Sequence, residues 1–158
     1  MKSQHKPILC LDFDGVIHSY TSGWKGASVI PDPPVPGALE FIYEAVDVFD
    51  VQIHSSRSHQ WGGKRAMKAY LRHHYRELYW ASQDIQDAAG NPNAWTHADM
   101  DDDAWDFGAH IVQRIGFPWF KPPAMVTLDD RAITFTGRWP TLTVINILVA
   151  AGEMETTR

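Results

Sequence analysis

The run over residues 8–13, which passes into Asp12-Phe13-Asp14-Gly15, restricts the fold of this chain more than any other segment. A short apolar run without polar alternation reads as a strand buried on both faces just before its exit turn. It is expected to be the central strand of a parallel sheet. Two further runs share this form: 49–54 ends in Ser55-Ser56-Arg57, and 124–128, read as another buried strand, ends in Asp129-Asp130. Between the runs lies helical periodicity. Leu39, Ile42, Tyr43 and Val46 mark a helix over 37–48, and Met67, Tyr70 and Leu71 mark one over 62–76. Helices are also expected from Asp103 or Asp106 to Arg114 and over 141–151, with a short strand at 78–81 and an edge strand at 133–135. Strands alternating with helices define an α/β layer fold, whose sites lie at the carboxyl ends of the strands.

Two stretches lack periodicity. Residues 19–37 carry four prolines and three glycines and read as a short irregular flap. Residues 83–107 carry seven aspartates, no lysine or arginine, and Gly90-Asn91-Pro92-Asn93, which reads as a loop-rich insertion. With 158 residues, 44% of them apolar, the chain 1–158 is expected to form a single domain. Its net charge of −5 is not that of a generally cationic binder, and a lone Cys10 excludes an internal disulfide or a multi-cysteine metal site. The longest apolar stretch, 142–151, falls far short of the ~18 residues of a membrane span. Asp12 and Asp14 exclude a signal-peptide core near the start. The expectation is a soluble, cytoplasmic protein with no membrane partner, of unspecified oligomeric state.

The strand ends carry the chemistry. Asp12 and Asp14 are two apart in an extended segment, so period two sends both to the same side. One carboxylate can then attack while the other handles a proton. If Asp129 and Asp130 come alongside, their repulsion calls for a shared cation, and an all-oxygen carboxylate site without histidine or cysteine suits Mg²⁺. Mg²⁺ in turn calls for a phosphate. Ser55, helped by backbone N–H groups near a helix start, can bind phosphate oxygens. Lys121 can supply the compensating positive charge.

Asp12-Phe13-Asp14-Gly15-Val16, the Ser55-Ser56-Arg57 turn after Val51-Gln52-Ile53-His54, and Lys121 followed by Val126-Thr127-Leu128-Asp129-Asp130 resemble the ordered motifs of the haloacid dehalogenase (HAD) superfamily of phosphatases. The resemblance spans nearly the whole chain and is to the small or capless type. It implies a Rossmannoid three-layer sandwich and hydrolysis of phosphate monoesters with Mg²⁺ through an aspartyl-phosphate. It implies Asp12 as nucleophile and Asp14 as general acid and base. Ser55, with Ser56 beside it, would bind the transferring phosphoryl group and Lys121 would neutralise it. Asp129, supported by Asp130, would anchor Mg²⁺ with Asp12 and the Asp14 backbone carbonyl. Whether Asp130 touches the metal or orients a water stays open, as does whether Lys64 serves in place of Lys121. Arg57, directly after the phosphate turn, is expected to reach substrate.

A phosphorylated small molecule is the expected substrate. Residues 57–76 nevertheless hold six basic side chains and no acid, and Lys64, Lys68 and Arg72 form one stripe over the basic helix 64–76. That stripe either faces a nucleic-acid end or is a solvated face balanced by the aspartate-rich insertion. A dehalogenase needs no metal, whereas this chain keeps Asp14, Asp129 and Asp130. A non-hydrolytic phosphate-binding or phospho-signalling domain of receiver type uses similar groups, with the acidic pair first rather than last. The run Asp99, Asp101, Asp102, Asp103 and Asp106 reads either as a second metal site or as acids favoured ahead of a helix. Trp24, Trp95 and Trp105 either line a pocket or pack. His54, inside a strand, is expected to be a satisfied core histidine.

Overall fold

The computed structural model describes residues 5–88, 97–134 and 136–155. In chain order the elements are β1 (Ile8–Leu11), α1 (Ala38–Val48), β2 (Asp50–Ile53), a one-turn 3₁₀ helix (Ser56–His59), α2 (Gly63–Ala88), α3 (His97–Gln113), β3 (Val126–Leu128) and α4 (Leu142–Glu155). The described strands form one parallel sheet in the order β2-β1-β3, so β1 is central as its uninterrupted apolar run requires. Gly116 extends the sheet beyond β2 by a single residue: its N–H donates to Val51 O at 2.8 Å, and its carbonyl accepts from Ile53 N at 2.8 Å.

The register divides the sheet into two chemically different faces. Leu9 sits beside Val51, and Leu11 beside Ile53. All four are buried in a core completed by Phe13, by Leu39, Ile42 and Val46 of α1, by Met67, Leu71 and Tyr75 of α2, and by Ile111 and Val112 of α3. Burying each large aliphatic side chain there stabilises the fold by roughly 1.5–3 kcal/mol. Alternation sends Cys10 to the opposite face, beside Thr127 of β3. Two buried tyrosines keep their hydroxyls satisfied within the core: Tyr75 donates to Leu39 O at 2.9 Å, and Tyr70 to Asp32 O at 3.0 Å, which ties the flap to α2.

Several sequence expectations need correction. Residues 78–81 belong to α2, not to a strand. Tyr70, Leu71, Tyr75 and Leu78 continue its buried stripe at helical spacing, with no breaker before Gly90. The stretch 83–107 is largely helical, because α2 runs to Ala88 and α3 begins at His97. These helices cross so closely that a Cβ on Gly108 would lie 2.7 Å from the Arg72 carbonyl oxygen. Gly90-Asn91-Pro92-Asn93 and Trp95, read as part of the loop-rich insertion, lie outside the described residues. Ile133 and Thr134 are not in a strand, and Phe135 lies outside the described residues. The third strand forms, but it is not buried: Val126 is 50% and Leu128 39% exposed, because α4 keeps Leu142, Val144 and Ile147 in solvent instead of covering it. No described helix is long and apolar enough to cross a membrane.

Candidate functional site

All three strands end at one cavity of about 240 Å³. β1 and its exit contribute Cys10 and Asp12, β3 and its exit contribute Thr127 and Asp129, and the end of β2 contributes His54, Ser55 and Ser56; Lys121 completes the wall. Period two explains the set, since Cys10 and Asp12, and likewise Thr127 and Asp129, point off the sheet face opposite the core. The strand ends are pinned together there: Asp12 N donates to Leu128 O at 2.9 Å, and His54 N to Leu11 O at 3.0 Å.

Asp12 is the carboxylate most perturbed by this packing. Burial pushes its pKa up to about 6, against the Phe13 N–H that it accepts at 2.7 Å, and the charges of Asp129, Asp130 and Asp14 add to the rise. Asp12, Asp129 and Asp130 each offer an oxygen within 4.8 Å of the others. Asp130 reaches that cluster across Gly15, where the backbone has φ +86° and a Cβ would meet Asp130 Oδ2 at 2.2 Å. Glycine is therefore favoured at 15 by its backbone conformation, and it leaves room for the Asp130 carboxylate. The trio fits a hard divalent cation: its donors are carboxylate oxygens alone, and its unrelieved repulsion shows in Asp12.

Ser55 is buried at the head of the 3₁₀ turn. Its Oγ accepts from Arg57 N at 3.3 Å while its own N–H donates to Ser58 Oγ at 3.1 Å. Because the oxygen accepts there, the hydroxyl proton remains available to an oxygen in the cavity. Of the two candidate lysines, Lys121 lines the cavity. Lys64 is committed elsewhere, donating to Phe117 O at 3.1 Å with its ammonium 3.5 Å from the centre of the Trp119 ring.

Asp14 and Arg57 are not where the sequence puts them. Asp14 does not line the cavity. β1 stops at Leu11, and the chain then turns tightly, with Ile17 and His18 both donating to Phe13 O, so strand alternation no longer relates Asp12 to Asp14. Its carboxylate lies buried between two partners: His18 Nδ1 at 2.8 Å from Oδ1, and Arg57 Nε at 3.1 and 2.9 Å from the two oxygens. Burial alone raises the Asp14 pKa, but the hydrogen bonds from His18 and Arg57 and the Arg57 charge outweigh it and hold the group below the ordinary aspartate value. Arg57, expected to reach substrate, is fully buried; its Nη1 donates to the carbonyls of Gly26, Ala27 and Val29 at 2.7–3.1 Å, and Trp24 stacks 4.6 Å from its guanidinium.

His54 departs from expectation in the opposite direction. It stands in the cavity wall, and its Nε2 is buried with no hydrogen-bond partner. Burial, His59 and Lys121 together hold its pKa below the ordinary value, so it faces the cavity as a neutral imidazole. The basic helix is partly packed: Lys68 lies 5.1 Å from the Phe117 ring and Arg76 5.7 Å from Trp105, while Arg65 and Arg72 are exposed. Asp102, Asp103 and Asp106 are exposed on α3; the side chains of Asp99 and Asp101, part of the acidic run weighed as a second metal site, lie outside the described residues.

Sequence reasoning missed Cys10 and His18 altogether. The alternation that places Asp12 also places Cys10, so that signal was present. His18 had none, because it joins Asp14 through a turn with no periodicity. Compared with protein-family models, curated proteins and solved structures, the chain matches none.

Proposed function

We propose that this chain is a Mg²⁺-dependent phosphomonoester hydrolase of HAD type, working through an aspartyl-phosphate on Asp12, with its parallel sheet as the core of a HAD-like three-layer sandwich. What supports this reading is the convergence of Asp12, Asp129, Ser55 and Lys121 on one cavity at the carboxyl ends of three parallel strands, with Asp130 completing the carboxylate cluster. Asp12, Asp129 and Asp130 would hold Mg²⁺, which when bound neutralises phosphate charge that otherwise repels the attacking carboxylate.

The residues divide the work. The Phe13 N–H occupies Asp12 Oδ1, which leaves Oδ2 to attack phosphorus as the bond to the leaving oxygen breaks. Ser55 and Lys121 hold the transferring phosphoryl oxygens. Asp14 donates a proton to the leaving oxygen; water then attacks the aspartyl-phosphate, passes a proton to Asp14, and releases phosphate with Asp12 restored. In the present conformation Asp14 is held as a carboxylate beside Arg57, so proton transfer requires it to change partners.

The test is phosphate release from sugar phosphates, nucleotides and phosphate-ended oligonucleotides, with Mg²⁺ and with chelator. Release should depend on Mg²⁺ and vanish in Asp12→Asn, whose amide is a poor nucleophile. An Asp12→Asn protein that turns over at the wild-type rate would sink the assignment. Binding of phosphate without release from any compound would favour the non-hydrolytic alternative.

One observation favours a second reading, a phosphatase of nucleic-acid ends. Aromatic rings continue outward from the cavity wall: His54 to His59 at 5.4 Å, and His59 to Phe120 at 6.1 Å, with Phe120 80% exposed beside Lys121. Exposed rings beside a phosphate site provide a surface on which an unpaired base can stack.

A further inference from the structure

Arg57 is spent on two separate parts of the molecule. Its Nε holds both oxygens of Asp14, and its Nη1 binds one short segment of the flap through the carbonyls of Gly26, Ala27 and Val29. The flap is bound to Asp14 by a second route. His18 donates from Nδ1 to Asp14 Oδ1, while its Nε2 accepts the Asp32 N–H at 3.2 Å. Asp32 belongs to the far end of the flap and is itself held by the Tyr70 hydroxyl and by Ser22. Arg57 and His18 are both completely buried, so neither contact is diluted by water. A buried arginine whose charge is answered by one carboxylate cannot lose that carboxylate cheaply, because the unpaired charge would remain in the interior.

We propose that Arg57 and His18 are positioning residues that make the place of Asp14 and the docking of flap 19–37 a single equilibrium. Displacing the flap takes the Arg57 clamp with it, and displacing Asp14 leaves the flap anchored by an uncompensated guanidinium. The Asp14 step of the proposed hydrolysis is thereby coupled to a segment that lies between the first strand and its helix. The coupling itself is a property of the resting protein. Only its catalytic consequence rests on the hydrolase reading.

The experiment therefore has two arms. In the first, hydrogen–deuterium exchange of the flap is compared with that of α2 in wild type and in Asp14→Asn, a change that alters no flap residue. Flap exchange should rise at least fivefold while α2 protection is retained; a flap that exchanges at the wild-type rate in a folded Asp14→Asn protein overturns the coupling. If Asp14→Asn loosens α2 as well, Arg57→Lys takes its place, since it keeps a charge near Asp14 and gives up the three carbonyl bonds. Faster flap exchange with α2 intact then supports the proposal, and unchanged exchange overturns it. In the second arm, Arg57→Gln should lower kcat at least tenfold for a small phosphate ester and leave KM within twofold, because Arg57 does not line the cavity, and Arg57→Lys should recover part of kcat. A raised KM with kcat preserved makes Arg57 a substrate ligand and overturns the positioning role, as does a kcat at or above wild type. An inactive wild type would reject the hydrolase reading and leave the exchange arm to decide the coupling.

Discussion

Gly15 and Asp130 compete for the same space: a methyl group at position 15 would lie 2.2 Å from Oδ2 of Asp130. The two residues come from the exits of neighbouring strands, so this contact sets how closely the acidic ends of β1 and β3 approach. Gly15→Ala should cost about 1–2 kcal/mol of stability for the left-handed backbone alone. The clash falls on the end of a side chain that is one-third exposed, so Asp130 should swing away rather than the fold collapse. Gly15→Ala should then weaken Mg²⁺ binding about as much as Asp130→Ala does. In a double-mutant cycle, read by calorimetric Mg²⁺ titration, the second change should add little to the first.

The raised pKa of Asp12 makes a signed prediction about stability. Its native pKa of about 6 lies above the unfolded value, so the ionised group costs native stability, and the cost grows as pH rises from about 4 to about 6 and then stays constant. Asp12→Asn should therefore raise Tm at pH 7 without metal, by on the order of 2 kcal/mol of stability, and give no gain near pH 4 (~ the unfolded pKa). Mg²⁺ favours the charged carboxylate, so it should stabilise wild type and not Asp12→Asn. Thermal unfolding at several pH values, with Mg²⁺ and with chelator, reads both effects; a variant less stable than wild type at pH 7 (roughly neutral) without metal would contradict the burial argument.

Lys121 and Lys64 should separate cleanly. Lys121 has its side chain in the cavity wall, and Lys121→Met should reduce kcat/KM by roughly 100-fold or more with little change in Tm. Lys64 is bonded to Phe117 O and stacked on Trp119. Lys64→Met should leave kcat/KM within about twofold and cost roughly 1 kcal/mol of stability, the size of a cation–π contact plus one charged hydrogen bond. Steady-state kinetics beside denaturant unfolding of the two variants decides between them.

These assignments show what the sequence could and could not carry. β1, β2 and the cavity residues at their ends were legible because an apolar run that stops at polar residues marks both the strand and its exit. Alternation then fixes which side Asp12 faces. That same rule misplaced Asp14, because period two holds only while the chain is extended, and the strand stops at Leu11. Residues 78–81 were ambiguous because four apolar residues fit a strand or a buried helical turn equally well, and the stripe that began at Met67 decided for the helix. The role of Arg57 was out of reach. Its partners Asp14, Gly26, Ala27 and Val29 lie roughly 28 to 43 residues away along the chain, and only the folded flap brings them to one guanidinium. The exposed face of β3 was hidden for a different reason: the apolar composition of α4 says that it can be buried, not where.

The exposed ring of Phe120 decides between a small substrate and a nucleic-acid end. It follows His59 outward from the cavity wall, next in sequence to Lys121, and is 80% exposed with the His59 ring 6.1 Å away. If a base stacks there, Phe120→Ala should raise KM for a nucleoside monophosphate or a phosphate-ended oligonucleotide by roughly 5- to 100-fold, the equivalent of about 1–3 kcal/mol of stacking. KM for glycerol phosphate, which has no ring to stack, should not move. Salt then separates the two nucleotide substrates. An oligonucleotide that also contacts the exposed Arg65 and Arg72 should lose affinity steeply as ionic strength rises, whereas a mononucleotide confined to the cavity and Phe120 should lose much less. Equal KM values for Phe120→Ala and wild type on all three substrates would remove the stacking surface and leave a small phosphate ester as the substrate class.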